Sequence, residues 1–455
     1  MWHSLRRLGV LLLMVSVCSL ARDAGSLASA AAASSDKTVI RIGALLDETG
    51  GSTTALYRAA VELGARQINE ALAKSGSRLA FEIVYGDTKS SPPLAQSEAI
   101  RLINQEGVKA LVSASSGETV TVNKLNYDPA SAAKAKVPLT CFQCSSGFIN
   151  NPTAVESDPL TQTAERDLDN WLFRVFYIAN YEAAVQVQIA LKNKKGDGPF
   201  KVGILADGGH RSLAAAITDL LPKFSAGSST EITYVTTLAN LRADWEKVVN
   251  SPNGKPDLVI AALLPEGVTE AIKAYRQAGH PIPIQSNNSF RRNYILEQIG
   301  MMANGLEGSS VQLAANSESG RAFVSAFKSA TGQLPEMTCS GAYDATVTLM
   351  LAAIVAAGNV QQPREVTPAA IREGLTKLNT PTGTKVRPTV DDFASAVQLI
   401  GQGKPIFYDG AYISDGWDAA GDMFPPLVHW KVENGRFVEY ELYDCNPQKP
   451  LCPVK

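Results

Sequence analysis

From about residue 38 onward, apolar residues fall into two rhythms, short continuous runs and helical stripes, that alternate along the chain. Ile40 to Leu46 is a run of strand length, and Leu56, Ala60, Gly64, Ile68 and Leu72 then recur at the spacing of one helix face. Phe81, Ile83 and Tyr85 alternate as a second strand that closes on Gly86-Asp87. Pro92 and Pro93 open a second helix, where a missing N–H costs nothing, with Ala95, Ala99, Leu102 and Ile103 on one face. Val108 to Val112 predicts a third strand, stopping at Ser113-Ala-Ser-Ser-Gly117 ahead of a helix near Glu118, and Val137 to Cys141 a fourth. Strand–helix units of this length predict an α/β fold, a mainly parallel sheet with helices on both faces.

The pattern then restarts. Lys201–Leu205, Ile232–Thr236, Leu258–Leu263 and Ile282–Gln285 read as strands, with helices at Ser212–Phe224, Arg242–Val249 and Glu266–Ala278 between them. This second series predicts a second lobe of similar build. Beyond Gly305 come a short strand near Leu306–Val311, a helix at Gly320–Thr331 and a very apolar helix at Tyr343–Ala357. That last segment is short for a bilayer and carries Asp344, so a helix buried in a protein core is the expectation. The tail beyond Gly403 is rich in strand and turn signals, including Tyr408-Asp-Gly, Ser414-Asp-Gly and Asn434-Gly.

Residues 1–36 read as a secretion signal: Arg6 and Arg7 precede an apolar run from Leu8 to Leu20, with small-residue cleavage candidates at Ser19-Leu-Ala21 and Ala28-Ser-Ala30. Cys18 raises lipid attachment, but Val17 stands where a lipobox carries a small residue, so plain cleavage is favoured. Removing the leader takes 42 basic and 44 acidic residues to 39 and 42, a net charge of −3. Such a balance gives no electrostatic footprint for nucleic acid or an anionic membrane. The roughly 420 remaining residues suffice for two cores, and the six cysteines suit an oxidising, extracytoplasmic compartment.

Several segments, taken in order, resemble the bacterial leucine/isoleucine/valine-binding family, the periplasmic receptors of branched-chain amino acid ABC transporters. They are Ile42-Gly-Ala-Leu-Leu…Thr49-Gly, Gly86-Asp87, Ser115-Ser-Gly117, Val137-Pro-Leu, Phe173-Arg-Val and Tyr343-Asp-Ala. The series closes with Tyr408-Asp-Gly…Trp417-Asp-Ala-Ala-Gly-Asp…Val428-His-Trp-Lys-Val…Gly435-Arg-Phe-Val. No single motif is specific; their order over nearly all of residues 38–440 carries the resemblance. It implies a two-lobed type I periplasmic-binding-protein fold that closes on a small ligand and then docks on a membrane permease. The chain is then expected to be a monomer with no cofactor and no catalysis, and to cross between lobes near Tyr177, Gly308 and Pro425. The first lobe takes residues 38–176 and 309–424, the second 178–307 and 426–455.

The resemblance also places the ligand. Ser115, Ser116 and Gly117 lie where a strand ends and a helix begins, and free N–H groups with neighbouring hydroxyls suit a carboxylate there. A simple N-cap by Ser116 is the plainer account. Gln143 and Ser145, in Thr140-Cys-Phe-Gln-Cys-Ser-Ser-Gly147, fall in the family's second ligand loop, but Cys141, Phe142 and Cys144 make this loop bulkier than usual. In the second lobe, Gln285-Ser-Asn-Asn-Ser-Phe290 puts Asn287 or Asn288 where the family's amino-acid binders carry a carboxylate for the ligand's ammonium. A neutral amide offers no counter-charge. The expected ligand is therefore an amino acid or a related carboxylate or amide, with ligands lacking an ammonium, such as keto or aromatic acids, gaining ground. Asp47 and Glu48 are the nearest alternative sources of negative charge. Thr53, Thr54, Tyr177, Tyr181, Leu264, Pro265 and Glu266 complete the candidates.

Two rival readings remain at this stage: a ligand-sensing receptor or regulator domain of the same fold, and a disulfide oxidoreductase using Cys141 and Cys144. The second lacks a thioredoxin-type context, and no second metal-ligand pair or clustered histidine accompanies the cysteines. Cys445 and Cys452 flank a Pro-rich loop and are expected to pair. Cys141, Cys144 and Cys339 offer three thiols for one bond. Asp415, Asp418 and Asp422 are too loosely spaced for a calcium loop and read as turn residues. No nucleophile elbow, P-loop, dinucleotide fingerprint or H-E-x-x-H is present.

Overall fold

A computed structural model describes residues 37–49, 55–146, 170–279, 281–312, 314–413, 416–418, 420–445, 452 and 454. The leader 1–36, Thr53, Thr54 and Asp415 lie outside the described residues. Two sheets organise the chain. The first holds β1 (Thr38–Leu46), β2 (Leu79–Asp87), β3 (Ala110–Ser115), β4 (Leu139–Gln143) and β5 (Leu172–Arg174) in the order β2-β1-β3-β4-β5. Pairing is parallel between β1 and β3, β3 and β4, and β4 and β5.

The second sheet contains β6 (Lys201–Ala206), β7 (Ser229–Tyr234), β8 (Leu258–Ala262), β9 (Ile284–Ser286), β10 (Glu307–Val311), β13 (Leu427–Glu433) and β14 (Arg436–Tyr443). Its order is β14-β13-β10-β9-β8-β6-β7, parallel from β7 to β10 and antiparallel from β10 through β14. A small parallel pair, β11 (Thr384–Val386) and β12 (Ile406–Tyr408), stands apart. Each large sheet reverses its order once, between β1 and β3 and between β6 and β8. In open α/β sheets ligands bind beyond the strands' carboxyl ends at such reversals, where diverging helices leave a crevice.

Twelve helices cover the described sheets. Those that matter for the site are α1 (Ala55–Lys74), α2 (Pro92–Arg101) and α3 (Ser116–Asn123) beside the first sheet, and α4 (Ala179–Lys192), α5 (Arg211–Phe224), α6 (Leu241–Val249), α7 (Pro265–Ala278) and α8 (Asn293–Ile299) beside the second. After β10 come α9 (Glu318–Thr331), α10 (Cys339–Ala357), α11 (Pro368–Leu375) and α12 (Val390–Gly401). The apolar α10 is buried on nearly every side, against Phe323, Phe327, Ile371, Phe393 and the α1 residues Ala60 and Ile68. A helix apolar all round has to be enclosed, and here protein rather than lipid encloses it.

Asp344 is the one charged residue of α10. Its carboxylate accepts the Tyr408 hydroxyl at 2.6 Å and the N–H groups of Ala411, Tyr412 and Ile413 at 3.0, 2.7 and 2.9 Å. Burial raises its pKa to about 6 even against those four donors. A Cβ on Gly410 would lie 2.7 Å from its Cγ, so only glycine lets the backbone come this close. Cys141 bonds to Cys144 and Cys445 to Cys452, leaving Cys339 as a buried free thiol.

Candidate functional site

The carboxyl ends of β3 and β4 lie side by side, with Ser115 directly opposite Gln143. Both strands run farther than their apolar residues suggest, because the ladder satisfies the backbone and buried Ser113 finds the Thr119 hydroxyl at 2.9 Å. The Ser115 hydroxyl and N–H both donate to Glu118, at 2.9 and 3.4 Å, and Thr88 donates to the other oxygen at 2.6 Å. Glu118 thus already places a buried carboxylate at the start of α3. Ser116 is turned across to the neighbouring loop, its Oγ accepting from the Ser146 N–H at 3.2 Å, while Gly117 is exposed.

Arg174 fixes that neighbouring loop. Its wholly buried guanidinium pairs with Asp422 at 2.7 Å and donates to the carbonyls of Cys144 and Ser146, the latter at 2.9 Å. The Ser145 carbonyl accepts from Ala179 N at 2.7 Å, joining the loop to the start of α4. Cys141 lies within β4 and both half-cystines are buried, unlike a redox pair exposed at a helix start. Glu48 pairs with Arg58 at 2.7 Å, and the Asp47 carboxylate accepts from the Ser90 hydroxyl.

From this edge the Gln143 side chain reaches the Tyr57 hydroxyl at 2.5 Å and the Thr338 hydroxyl at 2.9 Å, and Thr338 donates to Tyr57 at 2.7 Å. Tyr57 lies near the start of α1, and Thr338 stands at the position just before α10. Onto the same phenol, from beyond β9 of the second sheet, comes Arg292, with Nη1 at 3.1 Å from Tyr57 Oη. The site therefore joins the two sheets through Tyr57.

The second sheet's carboxyl edge carries a more charged cluster. After β6, Asp207 accepts the Gly209 N–H at 2.9 Å and the Leu264 N–H at 2.5 Å, which ties together the loops on either side of the sheet reversal. Asp207 also meets His210 Nδ1 at 2.8 Å. With its amide oriented to satisfy both ends, Asn287 accepts from His210 Nε2 at 2.7 Å and donates to the carbonyls of Ala261 and Leu263. In that orientation both imidazole nitrogens face an acceptor. Burial alone would lower the pKa of His210, but Asp207 and Glu182 raise it above the ordinary value.

Glu182, on the first turn of α4, is the buried carboxylate of this lobe. It accepts from Asn288 N at 2.8 Å, the Tyr177 hydroxyl at 2.9 Å and Ser309 Oγ at 3.4 Å. Burial raises its pKa to about 7 despite those donors. Tyr177 is buried with its hydroxyl committed to Glu182 and its ring stacked on Phe176, and Tyr181 packs edge-on against Phe424. Leu264 is 47% exposed at the start of α7, and Asn287 and Asn288 are buried.

The structure brings Gln143, Ser115, Ser116 and Ser145 to one edge, and Tyr177, Leu264, Asn287 and Asn288 to the other. Sequence reasoning missed Tyr57, Glu182, His210, Arg292 and Thr338. Glu182 left a faint signal, an acid flanked by Ala183, Ala184 and Val185. Arg292 left none that separates it from Arg291.

Two parallel α/β lobes, each with a polar cluster at its strand ends, define a two-lobed binding fold. Residues 39–407 match the periplasmic binding protein family, and the chain belongs to it. Among solved structures the fold matches a leucine-binding protein of Thermotoga maritima at 19% identity and a TM-score of 0.65, covering 90% of this chain and 99% of that one. It also matches a branched-chain amino acid transporter substrate-binding protein of Streptococcus pneumoniae in complex with isoleucine (17%, TM-score 0.62, 89% and 100%). A third match is an ABC-transporter solute-binding protein of Rhodopseudomonas palustris in complex with 4-hydroxybenzoate (17%, TM-score 0.63, 90% and 98%). The search of curated proteins gave no match.

Proposed function

We propose that this protein is the extracytoplasmic solute-binding component of an ABC transporter, a monomer that captures a small polar organic ligand between its lobes and presents the closed form to a membrane permease. The observation that carries this reading is the meeting of both sheets' carboxyl edges at Tyr57 and Arg292, 3.1 Å apart, beside Gln143 and Thr338. On this reading the chain crosses between the lobes three times, near Tyr177, near Pro425 and, because β10 runs on to Val311 in the second sheet, a few residues beyond the expected Gly308; short crossings of this kind suit a hinge. The relatives in complex with isoleucine and with 4-hydroxybenzoate bracket the ligand classes, an amino acid or a related carboxylate or amide. Family membership also favours export, and with it the reading of residues 1–36 as a signal.

Closure works only if the ligand binds the shut form more tightly than the open one. A micromolar ligand supplies about −8 kcal/mol, ample to bias a hinge costing a few. The test is mass spectrometry of small molecules released from denatured protein, followed by X-ray scattering with and without the released compound. A bound organic solute and a smaller radius of gyration on adding it back are expected. A protein that releases nothing and keeps one radius with every solute would overturn the reading.

A further inference from the structure

Three arginines are buried or half-buried along the edges of the cleft, and the fold treats two of them as structural. Arg174 has Asp422 and two carbonyls. Arg291 has Glu439 at 2.5 Å, the Ser310 hydroxyl at 2.6 Å and the Val311 carbonyl at 2.9 Å. Their guanidinium charges are neutralised by carboxylates of the chain itself, as burial demands. Arg292 differs. It is half-buried, and its one hydrogen bond among the described residues goes to the neutral Tyr57 phenol; an enclosed nitrogen without a partner is something it shares with Arg174 Nη2 and Arg291 Nε. Among the described residues no carboxylate forms an ion pair with it; Glu336 acts on it only at longer range.

On the solute-binding reading above, we infer that Arg292 is the anion receptor of the cleft and that the transported solute is a carboxylate that needs no ammonium partner. A guanidinium offers five N–H donors in a planar fork that fits a carboxylate, and among the described residues only the Tyr57 hydroxyl accepts from this one. The Tyr57 hydroxyl that meets it also bonds the Thr338 hydroxyl and the Gln143 amide, which extend the polar surface to the first lobe. The three carboxylates at the strand ends offer a ligand ammonium little room. Glu182 is fully engaged by Asn288, Tyr177 and Ser309, Asp207 by His210 and two N–H groups, and Glu118 by Ser115 and Thr88. Because Arg292 and Tyr57 stand on opposite lobes, a carboxylate held between them draws the lobes together.

The experiment compares ligand-stripped wild-type protein with Arg292→Met and Arg292→Lys by thermal shift and calorimetry. The probes are 4-methyl-2-oxopentanoate, 4-hydroxybenzoate, L-leucine, L-leucinamide and benzamide, together with whatever compound the wild-type protein releases on denaturation. A carboxylate without an ammonium is expected to bind the wild type. Its affinity is expected to fall about 10–100-fold in Arg292→Met and less in Arg292→Lys, which keeps the charge but loses the fork. Should Arg292→Met fail to fold, Arg292→Lys read by the same titration decides. L-Leucinamide binding as tightly as L-leucine, benzamide binding as tightly as 4-hydroxybenzoate, or equal affinity in wild type and variant, overturns the anion receptor while leaving solute capture intact. If no probe binds and nothing is released, both readings fall together.

Discussion

Tyr57 and Arg292, 235 positions apart in sequence, meet at 3.1 Å between phenol and guanidinium. The same phenol serves Gln143 and Thr338, so one hydroxyl closes a network drawn from α1, β4, the residue just before α10 and the far lobe.

Tyr57→Phe deletes that hydroxyl and leaves its ring packed on Phe142. Loss of a shared, buried acceptor is expected to cost about 1–2 kcal/mol of stability, measured by urea denaturation of ligand-free protein. Solute affinity is expected to fall as well. A variant with unchanged midpoint and unchanged affinity would show that the network is incidental to binding.

Glu182 makes stability depend on pH. Its pKa is about 7 in the folded protein against an ordinary value of 4.5, because burial disfavours the charged form. Protonated Glu182 is thus the form the fold prefers. Its contribution is fully present below about pH 4.5 and is lost as pH rises through 7, a swing of up to about 3 kcal/mol. His210, raised above its ordinary value by Asp207 and Glu182, acts with the same sign. Glu182→Gln is expected to flatten the decline, so that wild type loses more stability than the variant between pH 5 and pH 8. Parallel pH profiles for the two proteins would refute the assignment.

Arg174 and Asp422 form a buried pair at 2.7 Å with side chains 0% and 5% exposed. Asp422→Ala leaves the guanidinium with carbonyl partners only. Breaking such a pair from one side costs about 3–5 kcal/mol, read as a lower denaturation midpoint. The loop carrying Cys144 and Ser146 hangs on the same guanidinium, so solute affinity should fall too. A midpoint shift below about 1 kcal/mol would mean the pair is dispensable.

The cysteines give a chemical check. Burial pushes the Cys339 thiol up to about 12, so little thiolate exists at pH 8. In protein lacking residues 1–36, iodoacetamide is expected to label no site in the native state and Cys339 alone after denaturation. Cys141, Cys144, Cys445 and Cys452 should be labelled only after reduction. Labelling of Cys141 or Cys144 without reductant would contradict their pairing.

The motifs that carried the resemblance could be read from sequence as an ordered series, although the contacts behind them join distant parts of the chain. Tyr343-Asp-Ala and Tyr408-Asp-Gly belong to one device, in which Asp344 binds the Tyr408 hydroxyl and the next turn while Gly410 admits the close approach. Trp417-Asp-Ala-Ala-Gly-Asp is a turn in which Asp418 accepts from Ala420 and Asp422, and its Trp417 indole donates to the Arg174 carbonyl. Strand ends were less legible. β3 and β4 continue through Ser115 and Gln143 because partner strands, not side-chain polarity, satisfy the ladder. Asn287 and Asn288 lie beside a buried carboxylate that local sequence does not announce, Glu182, from more than 100 residues earlier, which accepts the Asn288 N–H.

Periodicity and turn residues act over a few neighbours, so the sequence alone determined the alternating elements, the two series and the enclosed apolar helix. The tertiary structure alone decided which charges face one another. Arg291 and Arg292 are adjacent and chemically identical, yet one lies against Glu439 and the other against only a phenol from the opposite lobe. Coulombic partners are set by distance through space, and nothing in the local chain records that distance.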